Sequence, residues 1–122
     1  MNRVALVVDD SPSLRQMVAF TLKSSGWDVI EGEHGQDALD RVQDRACDVV
    51  ITDLNMPVMD GITLIRELRT KPAFRFTPIL MLTTESQDSK KQEGRAAGAT
   101  GWIVKPFNPE QLQQVLAKVV PE

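Results

Sequence analysis

Five short strand-like runs, each followed by a segment with helical periodicity, leave this 122-residue chain very few folds to choose from. The runs are Val4 to Val8, Trp27 to Glu31, Cys47 to Asp53, Pro78 to Leu82 and Ile103-Val104, with no linker, repeat or low-complexity stretch between units. Strands joined through helices run parallel, because a parallel pair needs a crossover of roughly a dozen residues, and such crossovers are right-handed. The expected fold is therefore α/β: a (βα)5 doubly wound, five-stranded parallel sheet with helices on both faces.

The helical segments carry their own signals. Ser11 is a good N-cap with Pro12 at the first helical position, Leu14, Met17, Val18, Thr21 and Leu22 follow at helical spacing, and Gly26 ends the segment. A second helix is expected over about 36–45 with Ala38, Leu39 and Val42 on one face. Asn55-Met56-Pro57 breaks the chain before a third helix marked by Ile62, Ile65 and Leu68, and the loop from Thr70 to Pro78 offers Phe74 and Phe76 as packing anchors. Between Ser86 and Ala99 the only apolar residues are alanines, and Gly94 costs roughly 1 kcal/mol against alanine, so this fourth helix should be the least stable. The fifth starts at Asn108, with Pro109 and Gln111 completing a capping pattern, and buries Leu112, Val115, Leu116 and Val119.

Charge and composition exclude several functions. Fourteen Lys and Arg against seventeen Asp and Glu give a net charge of -3, and the longest basic run is Lys90-Lys91, so no nucleic-acid partner is expected. Cys47 is the lone cysteine, which excludes an internal disulfide and suits buried filler beside a strand. The longest wholly apolar run is Val4 to Val8, too short for a signal peptide or a membrane span. We expect a soluble, cytoplasmic, monomeric protein, with residues 1–122 forming one domain and no output domain.

Four of the five runs end in groups suited to phosphate chemistry: Asp9-Asp10, Asp53, Thr83-Thr84 and Lys105-Pro106. A parallel sheet places all strand C-termini on one edge, where ligands of such folds bind, so these groups should converge. A carboxylate cluster, a hydroxyl and one ammonium are the parts of a Mg²⁺-assisted phosphate site. Taken singly, each has a plainer reading: either aspartate of the first pair as an N-cap or solvated loop residue, Thr83 as a β-branched strand residue, and Asp60-Gly61 as a turn. His34 has no second histidine with which to share a metal and is read as solvent-facing, and Trp27 as peripheral packing.

With these residues in order, namely Asp9-Asp10, Asp53-Leu54-Asn55-Met56-Pro57, Asp60-Gly61, Thr83-Thr84-Glu85, Gly98-Ala99 and Lys105-Pro106-Phe107, the chain resembles the receiver domains of two-component response regulators. The likeness covers essentially the whole chain and is strongest to stand-alone, CheY-like chemotaxis regulators. It implies a flavodoxin-like strand order of 2-1-3-4-5, with the second strand at the rim and contributing no site residue. It also implies Asp53 as phosphoacceptor, Mg²⁺ (or Mn²⁺) held by Asp10, Asp53 and the Asn55 backbone carbonyl, with Asp9 acting through a water, and Thr83 and Lys105 binding phosphoryl oxygens. The Lys105-Pro106 bond is often cis in the family. Trp102 matches an aromatic switch position, commonly tyrosine in motor regulators, that turns inward when Thr83 moves. Asn55 and Glu85 match positions that tune dephosphorylation.

The implied partners are a sensor histidine kinase as phosphodonor and an effector protein or phosphatase at the face made by the fourth helix, fifth strand and fifth helix. On this reading the chain is a switch and not an enzyme. The alternatives are a phosphate sink or relay intermediate, or a small Mg²⁺ phosphatase with an Asp nucleophile. That last chemistry needs an acid two residues after the nucleophile, where this chain has Asn55. Three carboxylates against one lysine also leave excess negative charge, so one acid should have a raised pKa.

Overall fold

A computed structural model describes residues 2–84 and 88–120. Strands β1 (Val4–Val8), β2 (Asp28–Gly32), β3 (Val49–Asp53), β4 (Ile79–Thr83) and β5 (Gly101–Val104) alternate with helices α1 (Pro12–Ser24), α2 (Gly35–Val42), α3 (Gly61–Arg69), α4 (Asp88–Ala97) and α5 (Pro109–Val119). All neighbouring strands pair in parallel, in the order β2-β1-β3-β4-β5. Both the sheet and its order are those expected.

The period of two along each strand divides the core into two layers. Leu6, Val8, Val50, Ile79 and Met81 face one side and pack with Ala38 and Val42 of α2 and Ile62, Ile65 and Leu68 of α3. Ala5, Val7, Val49, Ile51, Leu80 and Leu82 face the other and meet Val18 and Leu22 of α1 and Leu112 and Leu116 of α5. Each fully buried aliphatic side chain contributes about 1.5–3 kcal/mol, which is why strands lacking any polar alternation are the centre of the molecule.

Caps fix where the helices begin. Ser11 accepts from the Leu14 amide, and Asn108 and Gln111 form a reciprocal capping box on α5. His34 is half-buried rather than solvent-facing, because its Nδ1 accepts from the Asp37 amide at 3.1 Å and caps α2. That helix stops at Val42, earlier than its apolar spacing suggests, since Gln43 has a φ of 48°. Gly98, with a φ of 119°, closes α4.

Several packing expectations change. Phe74 is fully buried as expected, but Phe76 is 87% exposed, with only the Arg75 guanidinium over its ring among the described residues, and lies outside the core. Trp27 is a buried member of the second core layer, with the Arg3 guanidinium over its ring. Gly94 is buried, and a Cβ there would overlap the Met81 thioether, so the glycine is a seat for Met81 and not simply a weak point in α4. One organiser had no sequence signal. The Arg69 guanidinium donates to the carbonyls of Gly98, Phe74 and Thr77 at 2.6 to 2.7 Å, tying the end of α3 to the turns before β4 and β5.

Candidate functional site

The ends of β1 and β3 bring Asp9 and Asp53 together, because Val8 pairs with Thr52 across adjacent strands. Their carboxylates and that of Asp10 each offer an oxygen, and these oxygens lie within 4.8 Å of one another. Asp9 is 1% exposed and Asp53 8%, whereas Asp10 is open to solvent. At an effective dielectric near 20, two carboxylates separated by 4.8 Å repel by roughly 3.5 kcal/mol before screening, so the cluster calls for a cation.

Lys105, one residue past β5, supplies one. Its ammonium donates to Asp53 Oδ1 at 3.0 Å and stands 4.0 Å from Asp9 Oδ2. The Lys105-Pro106 peptide is cis, as the family resemblance suggested. Asp53 Oδ1 also accepts from the Leu54 amide at 2.9 Å. Both bonds fall on Oδ1, and among the described residues Oδ2 makes none, which leaves it for a new bond. Below Asp53, the Asp60-Gly61 pair does more than turn the chain. Asp60 caps α3, and a Cβ on Gly61 would overlap the Asp53 carbonyl oxygen, so only glycine lets α3 start this close to the strand end.

Asp9 is the acid whose pKa rises. Burial raises it first, with the neighbouring Asp53 and Asp10 charges adding, against a bond from the Ser11 amide and the charge of Lys105. Among the described residues, the buried side-chain atoms with no hydrogen-bond partner in the protein are Asp9 Oδ2 and Thr83 Oγ1. Thr83 ends β4, next to β3, and is fully buried. Two orphaned oxygens beside a carboxylate cluster fit a bound hard cation and an oxyanion, since oxygen donors suit Mg²⁺ and an unpaired hydroxyl can donate.

The remaining expected residues lie further out. Asn55 is exposed in the loop after β3, and Glu85 falls outside the described residues. Trp102 is half-buried on β5, paired with Met81, and carries two cations over its ring: Lys91 Nζ at 5.6 Å and Arg95 Cζ at 5.1 Å from the centroid. Cys47 is inert filler, its thiol pushed up to about 11 by burial. The second strand lies at the rim and adds no residue to the cluster, as expected, but it reaches Asp9 indirectly. Glu31 pairs with Arg15 at 3.3 Å, and Arg15 donates to the Asp9 carbonyl at 2.7 Å.

Comparison with known proteins agrees with this geometry. Residues 5–117 match the response regulator receiver domain. The chemotaxis protein CheY1 of Helicobacter pylori is 40% identical over 117 residues, which cover 94% of each chain. The structure of chemotaxis response regulator CheY4 of Vibrio cholerae is 50% identical and superposes with a TM-score of 0.92, covering 98% of this chain and all of that one. The receiver domain of a sensor histidine kinase from Pseudomonas aeruginosa, solved with a magnesium ion coordinated in its active site cleft, is 27% identical, with a TM-score of 0.87 over 98% of both chains. A match of this extent, on a sheet whose C-terminal edge gathers three carboxylates, a threonine and a lysine, shows that the chain belongs to the response regulator receiver domain family.

Proposed function

We propose that this chain is a phosphorylation-dependent switch in chemotactic signalling, which takes a phosphoryl group from a sensor histidine kinase onto Asp53 and then presents the face of α4, β5 and α5 to a protein partner. One observation carries the reading. Asp53 has one oxygen held by Lys105 at 3.0 Å and the other uncommitted, inside a carboxylate cluster with an orphaned threonine hydroxyl close by.

In the transfer step, Asp53 Oδ2 forms a bond to phosphorus as the bond from phosphorus to the donor imidazole nitrogen breaks, and the bonding pair returns to the imidazole. Asp10, Asp53 and the Asn55 backbone carbonyl would hold Mg²⁺, with Asp9 acting through a water, and the ion would supply charge neutralisation for the phosphoryl oxygens. Lys105 then has a second anionic oxygen to pair with, and Thr83 Oγ1, which has no hydrogen-bond partner among the described residues, gains an acceptor. Asn55, exposed beside the acceptor, leaves water access open and suits a short-lived modification.

Acetyl phosphate with Mg²⁺ should add one phosphoryl group, located at Asp53 by mass spectrometry. Modification that persists in Asp53→Asn rules the assignment out. Lys105→Ala should leave Mg²⁺ binding intact and weaken the response to phosphorylation. A pull-down comparing free and beryllofluoride-treated protein then tests the partner face.

A further inference from the structure

We propose that Arg15 is the positioning residue of the Asp9-Asp10 pair, held to that task by Glu31 at the end of β2; this builds on the reading of the cluster as a Mg²⁺ site. The main chain of Asp9 is gripped on both sides. Its amide donates to the Gly32 carbonyl at 3.1 Å, and its carbonyl accepts from Arg15 Nη1 at 2.7 Å. Arg15 itself sits in the first turn of α1, its amide bonded to the Ser11 carbonyl, with its side chain only 13% exposed. Its Nε faces Glu31 Oε1 at 3.3 Å. Both grips on Asp9 thus originate at Glu31-Gly32, one directly and one through the guanidinium.

The carbonyl that Arg15 holds belongs to the peptide joining the two aspartates. That peptide is planar, so fixing its oxygen fixes the plane from which Asp10 departs. Asp10 is exposed and its side chain makes no hydrogen bond among the described residues, so its carboxylate is aimed by its backbone alone. A planar guanidinium can serve a carbonyl and a carboxylate at once from a rigid fork, which an ammonium cannot reproduce. Groups that orient metal ligands from behind typically govern affinity about 10- to 100-fold.

Position and charge predict opposite signs here. If Arg15 acted only as a nearby cation, removing it would tighten Mg²⁺ binding, and replacing it with lysine would change nothing. If it positions the pair, both changes weaken binding. Mg²⁺ titration by calorimetry on the wild type, Arg15→Lys and Arg15→Gln is therefore decisive, with about a 10-fold or greater loss expected in each variant. Arg15→Lys keeps the charge and decides the matter if Arg15→Gln fails to fold. Wild-type affinity in Arg15→Lys, or tighter binding in Arg15→Gln, overturns the proposal. Glu31→Gln should weaken binding in the wild type but add nothing in the Arg15→Gln background, and equal losses in both would remove Glu31 from it. Failure of the underlying site reading looks different: the wild type itself would bind no Mg²⁺, or bind it as well after Asp10→Asn and Asp53→Asn.

Discussion

Replacing Gly94 with alanine sets two well-measured effects against each other. In a helix interior alanine is better than glycine by roughly 0.8–1.0 kcal/mol, so propensity alone makes Gly94→Ala stabilising. The new methyl, however, would lie inside the van der Waals envelope of Met81, at its sulfur and terminal carbon, and Met81 is fully buried. Adding a methylene to a filled core costs about 1–3 kcal/mol, even allowing for a flexible thioether. Packing should win, with a net loss of about 1 kcal/mol and a fall of about 4 °C in Tm.

Met81→Ala supplies the control. Alone it should cost about 2–5 kcal/mol, because it opens a cavity between β4 and α4. In that background the alanine methyl enters vacated space, the propensity gain returns, and Gly94→Ala should stabilise by about 1 kcal/mol. Urea and thermal unfolding of the four proteins, followed by circular dichroism, then yield a coupling of about 2 kcal/mol between the two positions. Stabilisation by Gly94→Ala with Met81 in place would mean that α4 does not seat on β4 through this contact.

Three further outcomes are expected. Because the Asp9 pKa is raised in the folded state, the folded form holds its proton more tightly than the unfolded chain; the associated stability is present below the ordinary carboxylate value near 3.9 and is lost as pH rises through the raised one, so urea midpoints should fall across that window and Asp9→Asn should flatten the slope. Mg²⁺ should raise Tm, with a gain of about 2.7 kcal/mol at a hundredfold excess over Kd, and Asp53→Asn should raise it without metal; no change from either would mean the carboxylates do not repel one another. In a Trp27→Phe background, beryllofluoride should shift the emission of Trp102, whose ring lies under Lys91 and Arg95, and an unchanged spectrum would place the response elsewhere.

The parallel sheet and the meeting of Asp9, Asp53 and Lys105 were legible because each depends on a local pattern, a short apolar run, a cap and a polar residue at the strand end, whereas the strand order came from the family resemblance. What stayed hidden depends on partners distant in sequence. Arg69 bonds to backbone carbonyls, which every residue carries and no side-chain pattern reveals. Phe74 and Phe76 are two residues apart in the same loop, yet the 3-10 turn at Pro72–Phe74 buries one and leaves the other in water. Gly94 reads as a defect until Met81 is placed against it. Arg15 drew no reading from the sequence, because what distinguishes it is reaching the carbonyl of Asp9 and the carboxylate of Glu31 together.

Most of the unfavourable features among the described residues gather at one edge. Among the described residues, Asp9 Oδ2 and Thr83 Oγ1 are buried without hydrogen-bond partners, and each such atom costs about 1–3 kcal/mol. Val58, a β-branched residue 79% exposed in the loop after β3, has a φ of 68° with the Met59 amide turned back onto the Pro57 carbonyl at 2.7 Å, a conformation worth about 1–3 kcal/mol of strain. At the opposite edge the described residues show one comparable feature, the φ of 48° at Gln43 where α2 ends. There the exposed ends of α1 and α3 are closed by bonds to their own last turns, and Arg69 satisfies a cluster of carbonyls. A chain free to optimise stability would replace a buried carboxylate that leaves one oxygen without a hydrogen bond, and the cost of keeping it is explicable if something else satisfies that oxygen. A divalent cation and an oxyanion, bound at the end of β3, would satisfy both orphaned oxygens, so the protein should gain more stability from ligands at this edge than its solvent-exposed carboxylates alone would predict.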